Sequence, residues 1–277
     1  MSDLPAAAGY SMPAEWAPQE ATWLSWPLKP GAWPGCREAA ERAYAEFVAA
    51  ITQFELVRLN CVRAAQARAG ELLLRAGTRM ERVQFFDHPT NDAWCRDHGP
   101  TFVKHRGTGA LAAVDWVFNA WGGKFSPWDL DNAVPERIAT ALGLPRFAIP
   151  MVAEGGALEV NGAGVLLTTA SVLLNPNRNP TLAQAEVEAI LRGALGVEAI
   201  LWLPSGLAAD DTDGHIDTLT RFVSPDTVLT VVDRDPNGPN HAALERNRAD
   251  LARCRLPDGS ALEVVPLPLP DPIRPPG

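Results

Sequence analysis

The chain has 277 residues, 47% hydrophobic and 21% charged, enough to bury a substantial core as one large domain or two small ones. A formal net charge of -9 argues against nonspecific binding to nucleic acid or anionic membrane and weakly favours the approach of a small cation. Four scattered Cys (36, 61, 95 and 254) without zinc-ligand spacing, a start lacking basic and apolar signal regions, and no run of about 18 apolar residues set cytoplasmic, with no membrane span, as the expectation.

In chain order, residues 21–27 read as a short buried strand ended by Pro27. Residues 37–54 carry Ala40, Tyr44, Phe47, Val48 and Ile51 at helical spacing. Residues 56–62 read as a strand, 71–77 as a short helix and 82–86 as a strand. The same kinds of element return: strand 110–118, helix 129–142 closed by Gly143, strand 146–150. Asn161-Gly162 between 158–160 and 165–169 is a hairpin signal, because that pair readily adopts positive φ. A helix follows over 181–195, with Thr181 as N-cap and Gly196 beyond its end, then a strand at 199–203. Residues 219–223 and 227–232 pair around Ser224-Pro225-Asp226, 240–254 form a helix, and 262–265 a last strand. The Pro-rich stretch 266–272 cannot be helix interior and reads as an extended connector. Helices thus return between short strands at intervals of roughly 50 residues, a repeat architecture without a strict sequence repeat.

Three polar clusters interrupt this apolar chain: Trp94-Cys95-Arg96-Asp97-His98-Gly99-Pro100, Glu154-Gly155-Gly156, and Asp210 to Asp217. A lone loop Asp is most often a turn or cap residue. Asp97 is raised by its company, and Asp217 follows His215 by two positions in a tract crowded with carboxylates. Crowded like charges cost free energy unless partnered, and a bound cation is the natural partner. A calcium loop counted from Asp211 fails, since Ile216 stands at its sixth position and Phe222 at its twelfth. The remaining His show no metal-ligand spacing, so no metal is expected.

A guanidinium fits the set better: it is planar, always charged, and best held by carboxylates accepting paired N–H bonds. Attack on its delocalised carbon needs a strong nucleophile and a group that protonates departing ammonia. His215 can do the latter, its charged form favoured by Glu154 or a nearby Asp. The paired glycines after Glu154 would let the backbone approach a ligand closely.

On these stretches, together with Met12 to Glu20, Asn91 to Pro100 and Asn119-Ala120-Trp121-Gly122-Gly123-Lys124, the chain resembles the agmatine deiminases, within the wider guanidino-group-modifying enzymes that include bacterial-type peptidylarginine deiminases. The resemblance implies an α/β fold, a pseudo-fivefold propeller of ββαβ units, occupying 1–277 as one domain that stops short of its last module. It implies conversion of agmatine and water to N-carbamoylputrescine and ammonia without any cofactor, through an amidino-cysteine intermediate. Asp97, Asp217, Trp94 and Trp121 would bind substrate, and Glu154 and His215 would be catalytic. A homodimer is plausible by the same resemblance. The family's Gly-rich His-Cys nucleophile motif is absent from these 277 residues, so the expectation is a chain without turnover, or a guanidine-binding remnant. Cys95 is the only cysteine inside a cluster, and a small buried hydrophobe is its better reading. Protein-bound arginine is an alternative substrate; the segment around Trp121 to Lys124 resembles the small-molecule branch, and agmatine leads.

Overall fold

The computed structural model describes residues 4–29 and 31–270. After a 3-10 turn at Pro5–Ala8 come β1 (Tyr10–Ser11), β2 (Ala21–Ser25), α1 (Arg37–Ile51), β3 (Leu56–Asn60), α2 (Arg63–Arg75) and β4 (Val83–Phe86). Strands β2, β3 and β4 form a parallel sheet, with α1 and α2 as its crossovers. Helix α2 starts eight residues before the expected 71, because the Ala- and Arg-rich stretch from Arg63 has high helix propensity and Ala69, Leu72 and Leu73 give it a buried face.

Next come α3 (Cys95–His98), β5 (Thr101–His105), β6 (Leu111–Val117), α4 (Ala120–Gly123), α5 (Asp129–Asn132), α6 (Val134–Leu142) and β7 (Arg146–Val152). The expected helix over 129–142 is therefore two, broken at Ala133, with Pro135 in the first turn of α6, where its missing N–H is not needed. Then follow β8 (Glu159–Val160), β9 (Val165–Thr169), α7 (Ala170–Leu173), α8 (Gln184–Leu195), β10 (Ala199–Leu203), β11 (Thr220–Phe222), β12 (Thr227–Val232), α9 (His241–Arg253) and β13 (Glu263–Pro268). Thr181 does not cap α8. The helix begins at Gln184 behind Ala183, whose N–H donates to Glu186 at 2.8 Å. Gly143 and Gly196 close α6 and α8 with positive φ, as their positions in the sequence imply.

Four sheets are present among the described residues. Three of them share one plan. An antiparallel hairpin (β5–β6, β8–β9, β11–β12) is followed by helix, and the next strand (β7, β10, β13) returns parallel to the hairpin's second strand. The first sheet departs from that plan by being wholly parallel, so the early unit does not recur in the form its sequence pattern implies. Strand β13 includes Pro266 and Pro268 of the expected connector. As the outer strand of its sheet it tolerates residues that cannot donate to a ladder. Residues 271 and 272 of that stretch lie outside the described ones.

The largest apolar core sits between the second and third sheets, with Trp116, Met151, Leu158, Leu166, Leu191 and Leu195 buried in it. A second lies under β11–β13 and α9, and a third, including Trp26, lies under β2–β4. A small aromatic cluster of Phe118, Trp121 and Trp128 stands apart and walls the site described below. No helix among the described residues is long and apolar enough to cross a membrane.

Candidate active site

Asp97 lies on the single turn α3, and its segment is pinned by a reciprocal clasp. Asn91 Oδ1 accepts from the Leu130 and Asp131 amides at 2.8 and 3.2 Å, while Asp131 Oδ1 accepts from those of Asn91 and Asp92 at 2.7 and 3.2 Å. The Asp97 carboxylate is buried and takes two donors, the Gly156 amide at 3.0 Å and the Trp121 indole at 3.2 Å. Trp121 and Ala120 hold positive φ of 57° and 51°, a conformation costing about 1–2 kcal/mol per non-glycine residue. Asn119 stabilises the turn by accepting from the Gly122 amide at 2.8 Å and donating to the Asn177 carbonyl at 2.9 Å.

Glu154 is fully buried, and His215 is nearly so. The imidazole stands between two carboxylates, Nδ1 3.5 Å from Asp97 Oδ1 and Nε2 3.8 Å from Glu154 Oε2. The second gap exceeds a hydrogen bond, and both His215 Nε2 and Glu154 Oε2 lack a partner. The loop before His215 is ordered from within: Thr212 Oγ1 donates to Asp210 at 2.8 Å and accepts the His215 amide at 3.0 Å. Asp217, on the following short turn, faces Arg96 Nε at 3.4 Å. Arg96 also pairs with Glu15, which pairs in turn with Arg221, itself 2.7 Å from Glu159.

Gly156 marks the point where these groups meet. A Cβ there would lie 2.3 Å from His215 Nδ1, 2.7 Å from Asp97 Oδ1 and 2.8 Å from Asp217 Oδ2. The two carboxylate oxygens are therefore within 5.5 Å of each other. A side chain at this position would collide with all three groups, so the site as it stands requires glycine here.

Burial is the main reason that the Asp97 carboxyl is pushed up to about 6; His215 opposes the shift, and Asp217 and Glu154 add to it. For His215 burial is again the largest influence and favours the neutral ring. Glu154, Asp97 and Asp217 together outweigh it and hold the imidazole above its ordinary value. Carboxylates gathered around a poised imidazole are an arrangement that can hold a cation and hand on a proton.

Of the residues expected in the site, Asp97, Glu154, His215, Asp217 and Trp121 come together. Trp94 stands at the rim, about half exposed, its ring edge-on to Trp121 at 6.5 Å. The sequence reading passed over Arg178, whose Nε donates to Glu154 Oε1 at 2.6 Å from a fully buried position. Its only signal was a lone cation in the turn-rich run Asn175-Pro176-Asn177-Arg178-Asn179-Pro180. Glu15, from the early Met12–Glu20 stretch, was likewise invisible as a neighbour of Arg96. Cys95 is buried, near Asn60 Nδ2 at 3.8 Å, and burial pushes its thiol up to about 12, the opposite of an activated nucleophile. Cys61 is also pushed up to about 12, Cys254 is raised, and Cys36 is exposed just before α1. Among the described residues no three His, Cys, Asp or Glu are arranged to hold a metal ion. Two cavities of about 190 and 330 Å³, beside Arg106 and beside Trp116, include none of the site residues.

Residues 11–277 match the family described as Porphyromonas-type peptidyl-arginine deiminase. The agmatine deiminase of Stutzerimonas stutzeri (strain A1501) is 41% identical over 279 residues, covering 99% of this chain and 74% of that protein. The structure of the Enterococcus faecalis agmatine deiminase aligns with a TM-score of 0.91 at 32% identity, over 98% of this chain and 73% of its own. A substrate-bound agmatine deiminase of C. jejuni aligns at 0.85 and 31%, over 96% and 75%. The chain belongs to the Porphyromonas-type peptidyl-arginine deiminase family, with the agmatine deiminases among its relatives. By family it is an enzyme of the guanidino-group-modifying hydrolase type.

Proposed function

We propose that the site binds the guanidinium of agmatine and is built for its hydrolysis to N-carbamoylputrescine and ammonia. The observation that carries this is the convergence of Asp97, Asp217 and His215 on Gly156 from segments far apart in sequence. Asp97 and Asp217 would accept the guanidinium N–H groups, while Trp121 and Trp94 wall its faces. His215, flanked by Asp97 and Glu154, would give a proton to the departing ammonia and then activate the water that completes hydrolysis. The three ββαβ units and the parallel first sheet are read as four blades of a pseudo-fivefold propeller forming one domain, and a cytoplasmic setting goes with this reading.

The covalent step of the reaction needs a thiolate on the guanidinium carbon, and we assign that role to none of the four cysteines. Cys95, the one closest in sequence to the site, has a buried thiol pushed up to about 12. This chain on its own is expected to bind agmatine without releasing ammonia. Titration calorimetry with agmatine tests the binding. Asp97→Asn and Asp217→Asn should each weaken it by about 10–100-fold, the worth of a charge-assisted pair. Wild-type affinity in both variants would sink the assignment, and ammonia release lost on Cys95→Ser would overturn the expected lack of turnover.

A further inference from the structure

Arg178 is the best-connected buried cation near the site. Its side chain is fully buried, and four of its N–H groups are used within the protein. Nε donates to Glu154 Oε1 at 2.6 Å. Nη1 donates to Asp213 Oδ2 at 2.8 Å and to Asn177 Oδ1 at 2.7 Å, and Nη2 to the Thr212 carbonyl at 3.1 Å. Asp213 is also held by Lys124 Nζ at 2.7 Å, and the same ammonium reaches the Asp211 carbonyl at 2.7 Å. A Cβ at Gly122 would lie 2.8 Å from Arg178 Nη1, so the strained Trp121 turn packs directly on the guanidinium. One rigid planar group therefore touches the Glu154 segment, the loop leading to His215, and the turn carrying Trp121.

The geometry has a directional consequence. Arg178 takes one Glu154 oxygen and leaves the other without a partner, 3.8 Å from the unpartnered His215 Nε2. The fixed angle between Nε and the two terminal nitrogens sets where Glu154 lies relative to the 212–213 backbone, and hence relative to His215. An ammonium on a flexible stem carries the same charge but cannot impose that angle.

We propose that Arg178 is a positioning residue: its guanidinium locks Glu154 to the 212–213 loop so that the free Glu154 oxygen faces His215 at the guanidine-binding site. This rests on the functional reading above for what the site binds, but not for what Arg178 does to His215. The charged and titratable groups around His215 are Asp97, Glu154 and Asp217, with Arg178 behind Glu154 and Arg96 behind Asp217.

The test is an NMR titration of the His215 ring in carbon-13 histidine-labelled protein, assigned with His215→Gln, alongside agmatine calorimetry. In wild type the midpoint lies above the ordinary imidazole value. In Arg178→Gln the clamp on Glu154 Oε1 is gone and the other oxygen is no longer held toward His215, so the imidazolium loses a facing carboxylate and the His215 midpoint moves down. Arg178→Lys moves it down part of the way and weakens agmatine binding about tenfold. A role confined to stability would lower the melting temperature and leave the His215 titration unmoved; a folded Arg178→Gln behaving so overturns the proposal. Should Arg178→Gln fail to fold, Arg178→Lys decides, and a wild-type His215 midpoint there overturns it equally. Failure of wild type to bind agmatine would remove the functional reading while leaving the titration to judge Arg178.

Discussion

The substitution Gly156→Ala adds a single methyl group at the centre of the site. That carbon would stand 2.3 Å from His215 Nδ1 and under 3 Å from oxygens of Asp97 and Asp217, where non-bonded neighbours of a real Cβ lie beyond about 3.4 Å. Relief needs a displacement of about 1 Å, shared among three groups, two of them buried on all sides. Gly156 does not have positive φ, so the cost is one of space alone and the backbone suits alanine. Overpacking of a filled interior costs about 1–3 kcal/mol, which for a chain of this size lowers the melting temperature by a few degrees. Displacing the carboxylates that accept the guanidinium N–H groups weakens a charge-assisted hydrogen bond, about 1.5–3 kcal/mol, or about 10–100-fold in agmatine affinity. Calorimetric titration and a thermal melt of the same preparation read both effects. Wild-type affinity and melting temperature in Gly156→Ala would refute the convergence of Asp97, Asp217 and His215 on this point, and the functional reading with it.

Agmatine affinity should depend on pH through Asp97, whose carboxyl is pushed up to about 6. Below that value the protonated group cannot pair with a cation, so association should weaken toward tenfold per pH unit from pH 6 down to 5, as calorimetry would show. The stability sign is the reverse of that for a salt-bridged Asp. The native state holds the Asp97 proton more tightly than the unfolded chain, so Asp97 stabilises fully below about pH 4 and loses that effect as pH rises through 6. Denaturant melts should show Asp97→Asn gaining on wild type by on the order of 2 kcal/mol between pH 4 and pH 7. Gly70 lies inside α2, and nothing beyond its own helix backbone and chain neighbours comes within 4 Å of where its Cβ would be. Gly70→Ala should stabilise by about 0.5–1 kcal/mol through helix propensity and a less free unfolded chain, and a lowered melting temperature would contradict the assigned helix.

Most elements were legible because their signals are local. Helix α1, strand β10 and the β8–β9 hairpin follow from apolar spacing and Asn161-Gly162, which depend on residues a few positions apart. The misjudged boundaries differ in cause. The Ala- and Arg-rich start of α2 carried a local helix signal that the sequence reading passed over, whereas the outer-strand role of Pro266 and Pro268 depends on what packs beside them. Thr181, a suitable cap by type, lies two residues ahead of the position where Glu186 anchors the start of α8. Strand β5, which the sequence reading omitted, is held by β1 and β6 on either side and shows little pattern of its own.

The site divides along the same line. Crowded polar side chains drew attention to the stretches that hold Asp97, Glu154, His215 and Asp217, and the resemblance to the agmatine deiminases supplied the roles expected of them. Their meeting at Gly156, the left-handed turn that points the Trp121 indole at Asp97, the Glu15–Arg96–Asp217 chain, and the grip of Arg178 on Glu154 join residues from 24 to more than 100 positions apart. Such contacts leave no period or spacing to read. They exist only once the sheets have packed, when burial strips water from each charge and leaves the neighbouring side chains as its remaining partners.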